Sequence, residues 1–551
     1  MWRIGYCFSI LFLLALAEQA FAEAPDLWRI ERPAESRGLS GQHPAVDRAV
    51  LGSWLVSRVS RDQRGGKLSP SQWAFVPGER FALPLPGVGR VEISFDSLWN
   101  TAPGVDVYAG RIQGRAEWLF TFSIDSEEVL ARFFLEDRVY ILENYLDRNQ
   151  LVLHEMDRGR LPKSPDRPEG EHLRSLSYND DGITIQSTTP PSCSSFTPSG
   201  ANGHARVLFL HSSDVSSGIS NLIGSIVSEF NVSADNSRVE LDNFITVADI
   251  RQVGDTFDGL CRGPILDQME AESGAFQGLS QWMANTDADI AFLLVSEDAN
   301  ADQGSLCVPN LGRVGGAARI LKAFDRPAYG LSTVTWALGD LTAVHELGHI
   351  LGGLHEGPVP FQLQEGFAEA GVPDCAHGHV GSSDEWMTMM GGYVECPFDD
   401  TQPDPTQQSC TRLPIWSNPF MFHDGELVGD ADTAHMAVAL EMTMPIAAEW
   451  GASASPKPQS APTATVQSQF CRGFNDIFWT AVPATQVYQL VESVDSTFNF
   501  DPLKYFGAST VTTVTVQQGQ TRYYRVRACN GNGCGPWSNT VSAAYFTGIC
   551  Q

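Results

Sequence analysis

The sequence predicts a multidomain protein in which a mixed α/β (α+β) domain lies between two β-rich domains. First, its 551 residues exceed what one compact domain of ordinary size contains. Second, apolar and polar residues alternate near both ends of the chain, which is the pattern of half-buried strands. Third, buried-strand and helical patterns follow one another in the middle of the chain.

The first 22 residues have the pattern of a secretory signal. Arg3 precedes an apolar run over residues 10–17, and the small-x-small triplet Ala20-Phe21-Ala22 follows it. The run is too short to span a bilayer, and no later stretch reaches about 18 uninterrupted apolar residues. We therefore expect cleavage after Ala22 and a secreted, extracellular protein without a transmembrane segment.

Residues 23–165 are predicted to form a β-rich domain. Segments such as VDVYAGRIQG, AEWLFTFSID and VLARFFLEDRVYILENY alternate at period two and are separated by glycine or acidic turns. Residues 166–203 are polar and rich in Pro, Ser and Gly, which predicts a linker that a protease can cut.

Residues 204–450 are predicted to form the α/β domain. ARVLFLHSSDV and ADIAFLLVS read as buried strands, whereas GISNLIGSIVSEFN carries apolar residues at helical spacing. The stretch GASASPKPQSAP then marks a second linker over residues 451–461.

Residues 462–551 are predicted to be all-β. In YYRVRACNGNGCGPWSN, inward apolar residues alternate with arginines and a glycine-asparagine turn follows. Over nearly the whole block this pattern resembles a fibronectin type III domain. Such a module implies a ligand on an extracellular surface or matrix, and we expect that its removal leaves the function of the preceding domains intact.

Charge and cysteine content narrow the function classes. The formal net charge is -29, with 65 acidic and 36 basic residues, so the surface repels nucleic acid and anionic membranes. Cys7 would leave with the signal, so ten of the 11 cysteines remain. An even number in an exported chain predicts disulfides, and the absence of a C-x-x-C pair argues against a cysteine zinc site.

The stretch AVHELGHILGGLHEG, residues 343–357, has the spacing of a catalytic metal site. His345 and His349 are four apart, so both rings leave one face of a helix, for which Asp340 is the predicted N-cap. Gly352 allows a left-handed turn that ends the helix and returns His355 as a third ligand. Three protein ligands leave a position for water, and Glu346, one position after His345, is placed to take its proton.

These residues match the pattern H-E-x-x-H-x-x-G-x-x-H at all five defined positions, so residues 204–450 resemble the metzincin clan of zinc metalloendopeptidases, most closely the bacterial reprolysin-like type. The resemblance implies a twisted mixed sheet, an active-site helix and one catalytic Zn²⁺. It also implies a methionine turn, for which Met390 is the best match and Met387 and Met389 are rivals. Tyr393 lies three residues after Met390 rather than two, which favours core packing over a contact with the metal.

The first domain resembles the β-rich propeptide of reprolysin-like proteases, which implies a zymogen. Cys193, at the junction, could then supply a thiolate to the metal, as in cysteine-switch proenzymes, or form a disulfide. Parity favours the disulfide, because nine cysteines would otherwise remain. His377 and His379 in DCAHGHV form a thin ligand set, and we expect a surface loop there. No pattern supports a structural Ca²⁺.

The predicted function is therefore that of a secreted zinc metalloendopeptidase that hydrolyses internal bonds of extracellular polypeptides. Two alternatives stay open. One is a peptidyl-Asp-type metalloendopeptidase with an acidic cleavage preference. The other is a non-catalytic, zinc-containing adhesin that binds through its C-terminal domain.

Overall fold

The protein is described here by a computed structural model. It covers residues 24–34, 50–58, 75–112, 115–126, 128–135, 138–145, 150–157, 193, 203–215, 218–240, 244–257, 260, 262–296, 316–318, 328–355, 373–382, 386–391, 410–448, 457–469, 474–498, 503–530 and 533–545. The predicted signal, Tyr393 and most of the first predicted linker lie outside these ranges. The predicted domain boundaries stay predictions.

The N-terminal block, residues 24–157, consists of antiparallel strands. These are β1 Trp28–Pro33, β2 Val50–Arg58, β3 Arg80–Leu85, β4 Gly89–Ala102, β5 Val105–Ile112, β6 Arg115–Ile124, β7 Val129–Leu135, β8 Arg138–Tyr145 and β9 Gln150–Asp157. Their order in the sheet is β1-β2-β9-β8-β7-β6-β5-β4, and β3 also pairs with β4. One face buries a cluster of aromatic side chains that includes Trp28, Phe95, Phe120 and Phe133. The apolar alternation read from the sequence is thus the alternation of side chains across this sheet.

The central block, residues 203–448, holds a five-stranded sheet in the order β11-β10-β12-β14-β13. The strands of the whole block are β10 His204–His211, β11 Phe244–Gln252, β12 Ile290–Val295, β13 Gly316–Ala318, β14 Ala328–Thr333, β15 Trp386–Met387, β16 Thr411–Arg412, β17 Asn418–His423 and β18 Glu426–Val428. The first four strands in that order are parallel, whereas β13 runs antiparallel to β14 at one edge. β15–β16 and β17–β18 form two small separate pairs.

The helices of this block are α1 Ile219–Asn236, α2 Arg262–Glu270, α3 Leu279–Thr286, α4 Val334–Gly339, α5 Thr342–Ile350 and α6 Met436–Ala447. α5 packs against β13 and β14 and also contacts α1. The prediction of Asp340 as its N-cap is wrong, because the helix begins after Leu341 and has no side-chain cap. The Asp340 carboxylate instead accepts a hydrogen bond from Arg412 at 3.2 Å.

The C-terminal block, residues 457–545, is a sandwich of two sheets. Its strands are β19 Ala464–Gln469, β20 Phe474–Trp479, β21 Val487–Ser493, β22 Leu503–Gly507, β23 Val511–Thr515, β24 Thr521–Asn530, β25 Gly533–Cys534 and β26 Val541–Ala544. β19, β20 and β23 form one sheet, and the other strands form the second around β24. Trp479, Tyr488, Tyr505 and Tyr524 fill the space between the sheets.

The sheets of the first and last blocks are continuous. β22 pairs in parallel with β4, with Tyr505 opposite Leu98 and Phe506 opposite Trp99. The result is a 14-stranded sheet that contains strands from both ends of the chain. One hydrophobic core also runs through all three blocks, and it includes Trp99, Ile226 and Phe506. The protein is therefore rich in strands and is built from several blocks that share packing.

Disulfides tie distant parts of the chain. Cys193 is bonded to Cys375, 182 residues away, and Cys529 is bonded to Cys534 across the turn after β24. The Cys193 sulfur is therefore not a thiolate, and the role of metal-ligating switch does not apply to it. Disulfides of this kind are compatible with an extracellular protein. None of the described helices combines the length and apolarity needed to cross a bilayer.

We predict that the Cys193–Cys375 disulfide contributes strongly to stability, because it closes a loop of 182 residues. In the chain-entropy model, replacing both cysteines by alanine lowers the free energy of unfolding by about 5 kcal/mol. The matched control is the pair Cys529→Ala and Cys534→Ala, whose short loop corresponds to about 2 kcal/mol in the same model. Denaturant unfolding followed by tryptophan fluorescence measures both. An equal decrease in the free energy of unfolding for the two double variants would contradict the prediction.

Candidate metal centre

Two histidines leave one face of helix α5. His345 and His349 are four positions apart, which is about one helical turn, so their rings lie one above the other. Both residues are buried, His345 at 0% and His349 at 1% exposure. The helix therefore presents two imidazoles to one point inside the protein.

A glycine turn brings the third histidine to that point. Gly352 has a φ of 89°, in the left-handed region that glycine tolerates. The N–H of Gly353 donates to the carbonyl of Gly348 at 2.8 Å, and the N–H of Gly352 donates to that of His349 at 2.9 Å. These two bonds form a Schellman motif, which ends the helix and reverses the chain. His355 follows on the returning segment.

The three rings converge through their Nε2 atoms. His355 Nε2 lies 3.1 Å from His345 Nε2 and 3.0 Å from His349 Nε2. Three nitrogens bound to zinc at about 2.1 Å in a tetrahedron lie about 3.4 Å apart. Both of these separations therefore need to open by only a few tenths of an ångström to fit an ion of that size.

Two backbone carbonyls decide which ring nitrogens carry protons. His345 Nδ1 lies 2.7 Å from the carbonyl oxygen of Met389, and His349 Nδ1 lies 2.7 Å from that of Gly353. A carbonyl only accepts, so each Nδ1 donates its proton and each Nε2 presents a lone pair to the centre. A proton on His355 Nε2 can form a hydrogen bond with only one of these two lone pairs. A cation at the centre can instead be bound by all three rings. The donor set therefore fits a metal ion.

The electrostatic environment keeps His345 neutral. Burial holds the pKa of His345 well below its usual value, and the nearby charges of Arg412, His349 and His355 act in the same direction. Only a neutral imidazole has the lone pair that a metal requires. The environment that disfavours a proton on His345 thus favours its use as a ligand.

The methionine-rich segment after β15 packs against helix α5 at Gly348. A Cβ atom on Gly348 would lie 2.4 Å from Met390 Sδ, so the Met390 sulfur touches the helix where only glycine leaves room. Met389 supplies the carbonyl that holds His345. Met387, the third candidate, lies in β15. All three methionines are buried, and of the three it is the Met390 side chain that underlies the helix.

Glu346 lies on α5 directly after His345 and is buried at 2% exposure. One position on a helix corresponds to a rotation of about 100°, so its carboxylate leaves the helix beside the two imidazoles. A carboxylate beside the three histidines is in the place where a proton acceptor for the centre is needed.

Arg412 was not singled out in the sequence, but it bonds to the segment before α5 and to the segment after the methionines. Its buried guanidinium donates to Asp340 Oδ2 at 3.2 Å and to the carbonyl of Gly391 at 3.4 Å. Asp340 precedes α5 and Gly391 follows the methionine segment. An arginine among apolar residues implies a buried acidic partner, but the sequence does not say which.

His377, which the sequence marked only as part of a thin ligand set, contacts the backbone of a candidate ligand. Its Nδ1 donates to the carbonyl of His355 at 2.6 Å, and burial lowers its pKa. Around it, the N–H of Leu354 donates to the Ala376 carbonyl at 2.7 Å. His377 is half-buried because this loop runs beside the returning chain, so the expectation of an exposed surface loop is wrong for its side chain. Tyr393 lies outside the described residues.

Comparisons with known proteins give distant likenesses. No protein-family model matches the chain, and no curated protein is similar to it in sequence. Metalloproteinase-II from Bacteroides fragilis is 14% identical over 50% of this chain and 81% of its own, with a TM-score of 0.29. The sixth fibronectin type III domain of human fibronectin type III domain containing protein 3 is 19% identical over 18% of this chain and 97% of its own, with a TM-score of 0.16. An Fn3-like protein from Clostridium thermocellum is 24% identical over 17% of this chain and 95% of its own, with a TM-score of 0.14.

We predict that Gly352→Ala destabilises the turn, because φ is 89° there. A left-handed conformation costs a residue with a Cβ about 1–2 kcal/mol, so thermal unfolding should begin at a lower temperature and bound metal should fall. Gly254→Ala is the matched control, since a Cβ there meets nothing within 4 Å and its φ is not positive. If both variants behave alike, the turn is not the reason for this glycine.

We predict that His377→Ala weakens metal binding about 10- to 100-fold, the usual effect of losing a hydrogen bond that orients a ligand segment. His377→Asn is the control, because its amide nitrogen can donate from nearly the same place as Nδ1. Competition with a metal chelator measures both affinities. Equal losses in the two variants would show that the hydrogen bond to His355 is not what matters.

Proposed function

We propose that the chain is a secreted zinc-dependent metalloendopeptidase that hydrolyses internal peptide bonds of extracellular proteins. The observation that carries the proposal is that His355 Nε2 lies within 3.1 Å of the Nε2 atoms of both His345 and His349, whose Nδ1 atoms are each held by a carbonyl. The buried Glu346 on the same helix supplies the proton acceptor that hydrolysis requires.

His345, His349 and His355 would hold the metal. Three neutral imidazoles are a donor set that suits zinc, and three protein ligands leave a coordination position open, as in catalytic rather than structural sites. When bound, zinc polarises the carbonyl of the scissile bond and lowers the pKa of a water molecule.

Glu346 moves the proton. Its carboxylate accepts a proton from the water that attacks the peptide carbonyl and passes it to the departing amine. Burial removes competing water from this carboxylate and fixes its position on a short helix. A site that only stabilises the fold has no use for such a group, which argues against the non-catalytic adhesin.

The sheet edge beside the site offers a place for the substrate. β13 ends the order of the described five-stranded sheet, runs antiparallel to β14 and packs against α5. It falls in the segment LCVPNLGRVGGAARI, which precedes the active helix in the chain. An extended peptide that adds to β13 as a further strand would lie along the active helix. Main-chain pairing of this kind recognises polypeptides and leaves side-chain preference to the pockets around it.

We predict that Glu346→Gln lowers kcat/KM for peptide hydrolysis about 100- to 10,000-fold, the usual contribution of general acid–base catalysis. Zinc content should stay unchanged, because the three histidines are intact. His345→Ala should instead lose both zinc and activity. Glu270→Gln, on the exposed side of α2, is the matched control and should keep full activity.

The assay uses the full chain, cut between residues 158 and 192, and a diverse peptide library analysed by mass spectrometry. Preferred cleavage beside acidic residues would favour the peptidyl-Asp alternative. A protein that binds zinc but cleaves no peptide in the library would overturn the proposal.

A further inference from the structure

The N-terminal block is held on helix α1 by buried polar pairs. Glu229 accepts a hydrogen bond at 2.5 Å from Arg132 and another at 3.0 Å from Thr121. The side chains of Arg132 and Glu229 are 0% and 1% exposed. Arg132 also donates to the carbonyl of Ala337 in α4. One arginine of the first block thus contacts two helices of the central block.

A second polar contact lies about two turns nearer the start of the same helix. Asn221, which is fully buried, accepts from Ser123 at 2.9 Å and donates to Asp125 at 3.0 Å. Between the two pairs, a Cβ atom on Gly224 would lie only 3.0 Å from Val105 and 3.1 Å from Val107. The backbone of α1 therefore touches the β-sheet directly, and the polar pairs on either side set its register.

The C-terminal block holds the N-terminal block from another side. Beyond the β4–β22 pairing, four rings from all three blocks follow one another. Ring centroids are 5.1 Å apart for Trp99 and Phe506, 4.7 Å for Phe506 and Phe244, and 4.3 Å for Phe244 and His204. Thr515 also donates its N–H to the Pro77 carbonyl at 3.1 Å. A contact that shares one hydrophobic core is typical of obligate assemblies rather than of transient ones.

No disulfide can contribute to this attachment. Cys7 and Cys193 are consecutive cysteines in the sequence, so residues 24–157 contain none. The block is joined to the rest covalently only through residues 158–192, which overlap the predicted protease-sensitive linker of residues 166–203. After a cut there, only the contacts with α1, α4 and the C-terminal block hold it.

We propose that the N-terminal block is a permanent, non-covalently bound subunit of the processed protein. When the chain is cut between residues 158 and 192, residues 24–157 stay on α1 and β22 instead of leaving as a released propeptide. Otherwise the buried side of α1 that carries Asn221, Gly224 and Glu229 would be exposed, and Phe506 would lose its ring contact with Trp99. The proposal concerns assembly, so it stands or fails independently of the proposed peptidase activity.

The test is a defined cut in the full chain. The recognition sequence of a specific external protease is placed between residues 158 and 192 of the Glu346→Gln variant, which prevents self-cleavage. After the cut, we expect two fragments on a denaturing gel without reductant, but one species of unchanged mass in native size-exclusion chromatography with light scattering at micromolar concentration. Separation of the fragments under native conditions would overturn the proposal.

Variants then locate the attachment. Arg132→Met leaves the Glu229 carboxylate buried without its partner, and the dissociation constant of the cut protein should rise at least roughly 100-fold. The double variant Arg132→Met/Glu229→Met removes both charges and should recover most of that loss. Arg80→Ala breaks an exposed ion pair with Glu92 inside the block and should change nothing.

Failure of the double variant to recover binding would show that the pair does not set the interface. Because a variant at a buried position can fail to fold, the cut with the unaltered interface decides the main proposal by itself.

Discussion

The convergence of three histidines, with His355 Nε2 within 3.1 Å of the Nε2 atoms of the other two, is the constraint on which the surroundings of the site depend. Each Nε2 can offer its lone pair to a cation at the centre only if the ring proton is on Nδ1, because a protonated ring nitrogen has no lone pair. The carbonyls of Met389 and Gly353 meet that requirement for two rings. The methionine segment and the glycine turn are therefore parts of the ligand geometry, not only of the fold.

The same constraint explains the buried charges around the helix. Arg412 bonds to Asp340, which precedes α5, and to Gly391, which follows the methionine segment. It therefore keeps α5 close to the Met389 carbonyl that holds His345. His377 holds the backbone at His355. Each contact restricts one of the segments that must meet at the metal, and preorganisation of this kind keeps the ligands in place before the ion arrives.

Helix α1 connects this centre to the rest of the protein. It contacts α5 on one side and strands β4, β5 and β6 on the other. The C-terminal block in turn pairs with β4 through β22. The expectation that the fibronectin-like block can be removed without consequence for the enzyme is therefore at odds with its packing, since its loss would uncover Trp99 and Phe244.

Much of the local structure was readable from the sequence. The period-two segments correspond to β5, β6, β7 and β8, the helical pattern GISNLIGSIVSEFN lies in α1, and the His345–His349 spacing and Gly352 turn depend only on neighbours a few residues away. The sequence by itself therefore determined the three histidines, the turn between them and the strand-rich ends. Only the tertiary structure decided the acceptors of the ring protons, the Cys193–Cys375 bond and the docking of Arg132 on Glu229. These contacts join residues that are 4 to 182 positions apart, and all but the His349–Gly353 contact join segments far apart in the chain. Such pairs depend on how the sheets and helices pack, which no local pattern of residues encodes.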